Sequence, residues 1–206
     1  MRALARQDGV TAGLAEKHYV NSWVLYAIAT SPLGESLVFK GGTALSKLYF
    51  PEIWRFSEDL DFTATEQLPD IERILESTLA DIEAESGIRF EIRNMHAAGE
   101  PVEYVQFGVQ YDAVLGQKNT TDLDITFNEP LVFPIVNHEH TFEDVPTFSL
   151  AAYSMKKSWW RSFGACFSGR GPGTTTISTN CWSRNRSTTR RLSLPYTRKH
   201  VRTRWR

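Results

Sequence analysis

The chain reads as an α+β protein, a mixed β-sheet flanked by helices with an irregular basic tail, and three observations lead there. Apolar residues recur at helical spacing in AEKHYVNSWVLYAIAT, just ahead of a short apolar run from Leu37 to Phe39. A longer helical pattern, LPDIERILESTLADIEAESG, stops near Gly87. Three segments that alternate or are rich in β-branched and aromatic residues then follow in a row, IRFEIRNMH, PVEYVQFGVQYDAV and NTTDLDITFNE, parted by short Gly, Pro, Asn or Asp breaks. Strand, helix, strand, long helix and a run of strands is the order of a mixed sheet with helical backing. There is no internal repeat, and no 18-residue apolar run or signal peptide is seen, so the expectation is a soluble, cytoplasmic chain with no membrane partner.

The chemistry concentrates between Lys40 and Phe62. LVFKGGTALSKLYF predicts a short strand, a tight turn at Gly41 and Gly42, and a helix from about Thr43. Glycine lets a phosphate approach the backbone, and the free N–H groups at a helix start attract an anion. Thr43 offers a hydroxyl donor, with Lys40, Lys47 and Arg55 as charge partners. About a dozen residues on, RFSEDLDF reads as a strand in which Asp59 and Asp61 share one face while Leu60 and Phe62 take the other. Two hard oxygen donors there suit Mg2+, which binds through one or two carboxylates plus substrate phosphates. Each motif alone is common, a GG turn being usual before a helix and a DxD usual on a solvated strand; their order and spacing raise the specificity.

This stretch resembles the AbiEii-type toxins, a MenT-like branch of the polymerase-beta-like nucleotidyltransferase superfamily, and the resemblance covers roughly residues 16 to 154. It implies that the GGT turn, a helix and the DLDF strand open an active site, with a further carboxylate on a neighbouring strand. TTDLDITFNEPL fits that place: Asp122 and Asp124 share one face, and LDIT matches with Asp124. Read this way, Asp59 and Asp61 hold both magnesium ions and Asp124 one. Gly41, Gly42 and Thr43 cradle the triphosphate of an NTP substrate, Lys47 and Arg55 supply charge, and Asp124 is the only evident general base. The implied acceptor is a tRNA 3′ end, the setting a toxin-antitoxin or phage-defence pair, and the protein partner a cognate antitoxin. The bland alternative for Asp122 and Asp124 is a soluble strand edge.

Residues 155 to 206 differ from residues 1 to 154. The first 154 residues hold 24 Asp and Glu against 10 Lys and Arg, whereas the last 52 hold 13 Lys and Arg and no acid. The near-neutral total conceals two opposite parts, a nucleotidyltransferase-like domain over 1–154 and a basic, disordered or frameshifted tail over 155–206. Three explanations stand: an RNA-binding arm, an inert tail, or a slipped reading frame. The genetic code bears on the third. Met155 to Trp182 can be encoded by a string in which one restored G after the ATG yields MEEIVVEKLRSLFQRTRPRDYYDIYQLL, an acid-balanced amphipathic helix followed by a turn. By resemblance, that EKL lysine and the RDYYD aspartate complete the family's site. A slipped frame would weaken catalysis and leave an apolar face exposed.

Other features carry less. Cys166 and Cys181 make neither a disulfide framework nor a zinc site. His138 and His140 form an HxH expected in a loop, and Tyr49, Trp54 and Phe56 are expected in the core. The rival readings are a non-catalytic nucleotide- or RNA-binding protein that uses the basic tail, and an antibiotic-modifying nucleotidyltransferase.

Overall fold

In the computed structural model the described residues are 5–6, 9–49, 58–131, 134–142 and 144–154. Arg55, Trp54, Phe56 and the basic tail fall outside them. The elements run α1 (Ala12–Thr30), α2 (Leu33–Ser36), β1 (Leu37–Lys40), α3 (Gly41–Ala44) continued by a π-helical turn at Leu45–Tyr49, and β2 (Leu60–Ala64). Then come α4 (Ile71–Ser86), β3 (Arg89–Ala98), β4 (Tyr104–Asp112), β5 (Lys118–Thr126), β6 (Ile135–Phe142) and β7 (Val145–Tyr153). The strands form one seven-stranded sheet in the order β3-β4-β5-β2-β1-β7-β6. Pairing is mixed: β1 with β7 and β2 with β5 are parallel, and the other neighbours are antiparallel.

Strand alternation gives the central sheet two unlike faces. Leu60 and Phe62 of β2, Leu123 and Ile125 of β5, and Val105, Phe107 and Val109 of β4 are buried in one continuous core with α1 and α4. α4 shows the narrow apolar stripe of a surface helix, with Ile71, Leu75, Leu79 and Ile82 buried and charged residues outward. It closes at Gly87, whose φ of +67° an L side chain adopts only with strain.

α1 behaves differently. It packs against both α4 and β7, and buries Glu16, Lys17, Asn21 and Ser22 along with its apolar residues. Those polar groups are tolerated because each has a partner. Glu16 Oε1 accepts from the Leu115 N–H at 2.5 Å, and Lys17 pairs with Glu58 at 2.9 Å. Thr11 caps the helix start by accepting from the Leu14 N–H.

The last two strands correct the sequence reading. His138 and His140 lie in β6 rather than in a loop. His140 is buried beside Ser22 and Phe148, and His138 Nε2 is 2.7 Å from the Tyr49 hydroxyl, which itself donates to the Tyr153 carbonyl. The HxH is therefore a strand pair that anchors the sheet edge to the turn after α3.

Candidate active site

The polar face of the same strands carries the site. In the parallel ladder of β2 and β5, Asp61 stands directly opposite Asp124. Lys40 pairs with Asp61 from β1 and Gln106 pairs with Asp124 from β4. Direct cross-strand partners share a face, so Lys40, Asp61, Asp124 and Gln106 make one row across four strands. The apolar residues between them, Leu60, Phe62, Leu123 and Ile125, hold that row from beneath. Each is buried, so a one-residue slip in either strand would move the carboxylates into the core.

Gly41 sets how closely the turn approaches this row. Its φ is +79°, and a Cβ built there would lie 2.0 Å from Asp61 Oδ2 and 2.8 Å from Asp61 Cγ. Asp61 thus rests against the bare α-carbon of Gly41, and the turn and the carboxylate meet only because no side chain intervenes.

Asp59 is placed by its backbone. Thr43 Oγ1 donates to the Asp59 carbonyl at 2.6 Å, while Asn21 Nδ2 donates to the Glu58 carbonyl at 3.2 Å. Thr121 Oγ1 lies within hydrogen-bond reach of both Asn21 Oδ1 and the Glu58 carbonyl. Residues from α1, α3 and β5 converge in this way on the entry to β2. Partial desolvation raises the Asp59 carboxyl above its ordinary value; Lys17 opposes the shift, and Asp122, Asp124 and Glu58 reinforce it. On β4, the Tyr104 hydroxyl donates to Asp124 Oδ1 at 2.7 Å. Burial, then this hydrogen bond and the charges of Asp124, Asp61 and Asp122, push the Tyr104 phenol up to about 12. It therefore remains an O–H donor at physiological pH.

The lysines sit differently from the sequence expectation. Lys40 pairs with Glu129 at 2.7 Å, both side chains being buried, and also donates to Thr126 Oγ1. Thr63 Oγ1 donates to the same Glu129 oxygen. Lys47 is buried, its Nζ 3.0 Å from the His18 carbonyl, 2.8 Å from Ser22 Oγ and 5.2 Å from the centroid of the Phe142 ring. Desolvation lowers its pKa well below the usual lysine value. An amine enclosed there is a packing group between α1, the turn after α3 and β6, not a charge presented to phosphate. Thr43, fully buried, also acts through the Asp59 carbonyl rather than by offering its hydroxyl outward.

Among the described residues, no three His, Cys, Asp or Glu side chains are gathered tightly enough to hold a metal ion by themselves. The donor set still suits Mg2+, which needs only one or two carboxylates when phosphate and water complete its shell. Asp61 and Asp124, held in register, provide that pair. Asp59 is raised first by desolvation, and Asp122, Asp124 and Glu58 add to that shift, so its carboxyl lies within electrostatic reach of the other acids.

The model of the nucleotidyl transferase AbiEii toxin family, described as a type IV toxin-antitoxin system, matches residues 23–159. The chain belongs to this family. No curated protein matches the chain. Among solved structures, the AbiEii chain is similar to MenT4, a nucleotidyltransferase toxin from Mycobacterium tuberculosis H37Rv, at 20% identity and a TM-score of 0.58. That match covers 80% of this chain and 58% of MenT4. It is also similar to JHP933 from Helicobacter pylori, at 18% identity and a TM-score of 0.52, covering 77% of this chain and 60% of that one. The nucleotidyltransferase-like fold is common to all of them, and this chain spans about three fifths of the length of these neighbours.

Within this AbiEii domain, sequence reasoning missed Tyr104, Gln106, Glu129, Asn21 and Thr121. Tyr104 and Gln106 alternate with Val105 and Phe107 on β4, which shows that they share the face opposite the core. Nothing local marks that face as the one bearing Asp124. Asn21 and Thr121 lie 100 residues apart and meet only through the fold.

Proposed function

We propose that this chain derives from a metal-dependent nucleotidyltransferase toxin, which moves a nucleotide from an NTP to a polynucleotide hydroxyl such as a tRNA 3′ end. The observation that carries this reading is the in-register Asp61–Asp124 pair set against the bare α-carbon of Gly41. A carboxylate pair and a phosphate-holding turn are the two parts that phosphoryl transfer requires side by side.

Asp61 and Asp124, with Asp59 beside them, would hold magnesium. When bound there, the metal supplies the positive charge that offsets the triphosphate and the departing pyrophosphate. Gly41 and Gly42 present backbone to the phosphates at the start of α3. Thr43, Asn21 and Thr121 fix the backbone at Glu58 and Asp59, so that the carboxylates hold their positions when charge develops. The acceptor oxygen forms its bond to the α-phosphorus as the bond to pyrophosphate breaks. The hydroxyl proton leaves by way of Asp124, whose Oδ1 is held by Tyr104. Arg55 is proposed as a further charge on the nucleotide, and a cognate antitoxin as the protein partner.

The reversal of charge at Met155 and the end of the family match at residue 159 together support a slipped reading frame, hence impaired activity in this chain. Sequencing the coding DNA across codons 150 to 185 tests that point. A missing base restoring EEIVVEKLRSLFQR supports it, and an intact frame with unrelated codons refutes it. For the activity, Asp59→Ala and Asp61→Ala in the frame-restored protein should abolish incorporation of labelled nucleotide into RNA. Retained incorporation would sink the assignment.

A further inference from the structure

The row of side chains through the site does not end at Asp124. Gln106 stands beside Asp124 in the β4–β5 ladder, and His96 of β3 stands beside Gln106. One step along, Gly108 lies between Asp122 on one side and Asn94 on the other. A Cβ at Gly108 would lie 3.6 Å from Asn94 Nδ2, so the Asn94 amide extends over the glycine on this same open face. Gln106 is half-buried, and neither its amide nor that of Asn94 makes a hydrogen bond within the described protein. Nearby, Gln110 is engaged, its Oε1 accepting from Arg93.

Chemistry assigns a side to this strip. Nucleotidyl transfer brings the attacking and leaving oxygens into line across the phosphorus. In the proposed function the pyrophosphate would leave toward Gly41 and Gly42, which follow β1. The acceptor must then approach from the opposite side of Asp61 and Asp124, over β4. We propose that the open face of β4 and β3, centred on Gln106 with Asn94 and Tyr104, is the subsite that seats the terminal nucleoside of the acceptor. An amide presents a donor and an acceptor side by side, which matches a base edge or a ribose hydroxyl pair. Tyr104, by holding Asp124 Oδ1, aligns the carboxylate that faces the incoming hydroxyl and is a positioning residue.

This inference rests on the proposed function, and its test separates the two. The probe is the dinucleotide CpA with a free 3′-hydroxyl, whose single phosphate limits attraction to the basic tail. Amide and side-chain NMR signals of the full chain are followed while CpA, and separately Mg2+ with a non-hydrolysable NTP, are titrated in. The inference expects CpA to shift the side-chain amides of Gln106 and Asn94 and the backbone between Tyr104 and Gly108. Gln106→Ala should weaken CpA about tenfold, as loss of one or two hydrogen bonds does, while NTP-induced shifts at Gly41 and Gly42 persist. Gln106→Glu, which keeps the size but removes the N–H donors, should weaken CpA at least as much. Shifts confined elsewhere, no CpA binding, or CpA affinity in both variants equal to that of the unaltered chain would overturn the subsite. Absence of NTP shifts at Gly41 and Gly42 in the unaltered chain would instead overturn the nucleotidyltransferase reading.

Discussion

Replacing Gly41 with alanine probes the closest contact in the site. The added Cβ would sit 2.0 Å from Asp61 Oδ2, whereas real Cβ contacts stay beyond 3.0 Å, so the carboxylate must retreat. The φ of +79° adds the strain of a left-handed residue, about 1–2 kcal/mol, offset by roughly 0.4–1 kcal/mol of unfolded-chain entropy. The net loss of stability is near 1 kcal/mol, a fall in Tm of about 2–4 °C for a domain of this size. The loss of activity is larger. A displacement of about 1 Å at a catalytic group costs on the order of 10²-fold in rate. Gly116 is the control, with a φ of +66° and nothing within 4 Å of an added Cβ. Gly116→Ala should lower Tm similarly and leave transfer unchanged. The assay is thermal melting beside labelled-nucleotide incorporation in the frame-restored protein. Wild-type transfer by Gly41→Ala, or an equal loss of transfer in Gly116→Ala, would refute the claim that the bare α-carbon positions Asp61.

Glu129→Gln removes the charge partner of a buried lysine and should cost about 3–5 kcal/mol in urea unfolding. Replacing Lys40 with methionine and Glu129 with leucine together should recover most of that loss. Asn21→Ala removes one of the two donors at the Glu58 carbonyl, leaving Thr121, and should cost about 0.5–1.5 kcal/mol, with a drop in transfer rate, because Asp59 follows directly. The pH dependence has a definite sign. Burial, followed by Lys47, depresses His18 to about 2 and His140 to about 4, against 6.5 in the unfolded chain. Their contribution is complete above pH 6.5 and declines as pH falls toward the folded values, by at most about 1.4 kcal/mol per pH unit for each. Tm measured from pH 7 to pH 5 should fall, and His140→Phe should flatten the slope; an unchanged slope would place the acid sensitivity elsewhere.

The parts of the fold legible in sequence are those with a single periodic signal. α4 and the alternation through DLDF and TDLDIT follow directly from burial on one face. α1 was legible as a helix, but its depth was not, since Glu16, Lys17 and Asn21 look like a solvated face until the strands that satisfy them are in place. The HxH of NHEHT, with no partner cluster visible in the sequence, suggests a loop, yet it lies in β6 and His140 is buried by partners from α1 and β7. The same limit applies at the site. Gly41, Gly42 and the three aspartates stand out by residue type and spacing. Lys47 misled because a lysine near a glycine turn suggests phosphate, and only the packing of His18, Ser22 and Phe142 shows it enclosed. Tyr104 and Gln106 carried no signal in sequence because their importance comes from a neighbouring strand.

The most direct test is incorporation of labelled nucleotide from each of the four NTPs into total tRNA by the frame-restored protein, with Mg2+ or with EDTA. Product that requires Mg2+ and disappears in Asp61→Asn and Asp124→Asn is the expected result. Product that persists in EDTA or in those variants, or no product from any NTP, would contradict the assignment of the Asp61–Asp124 pair as the catalytic centre.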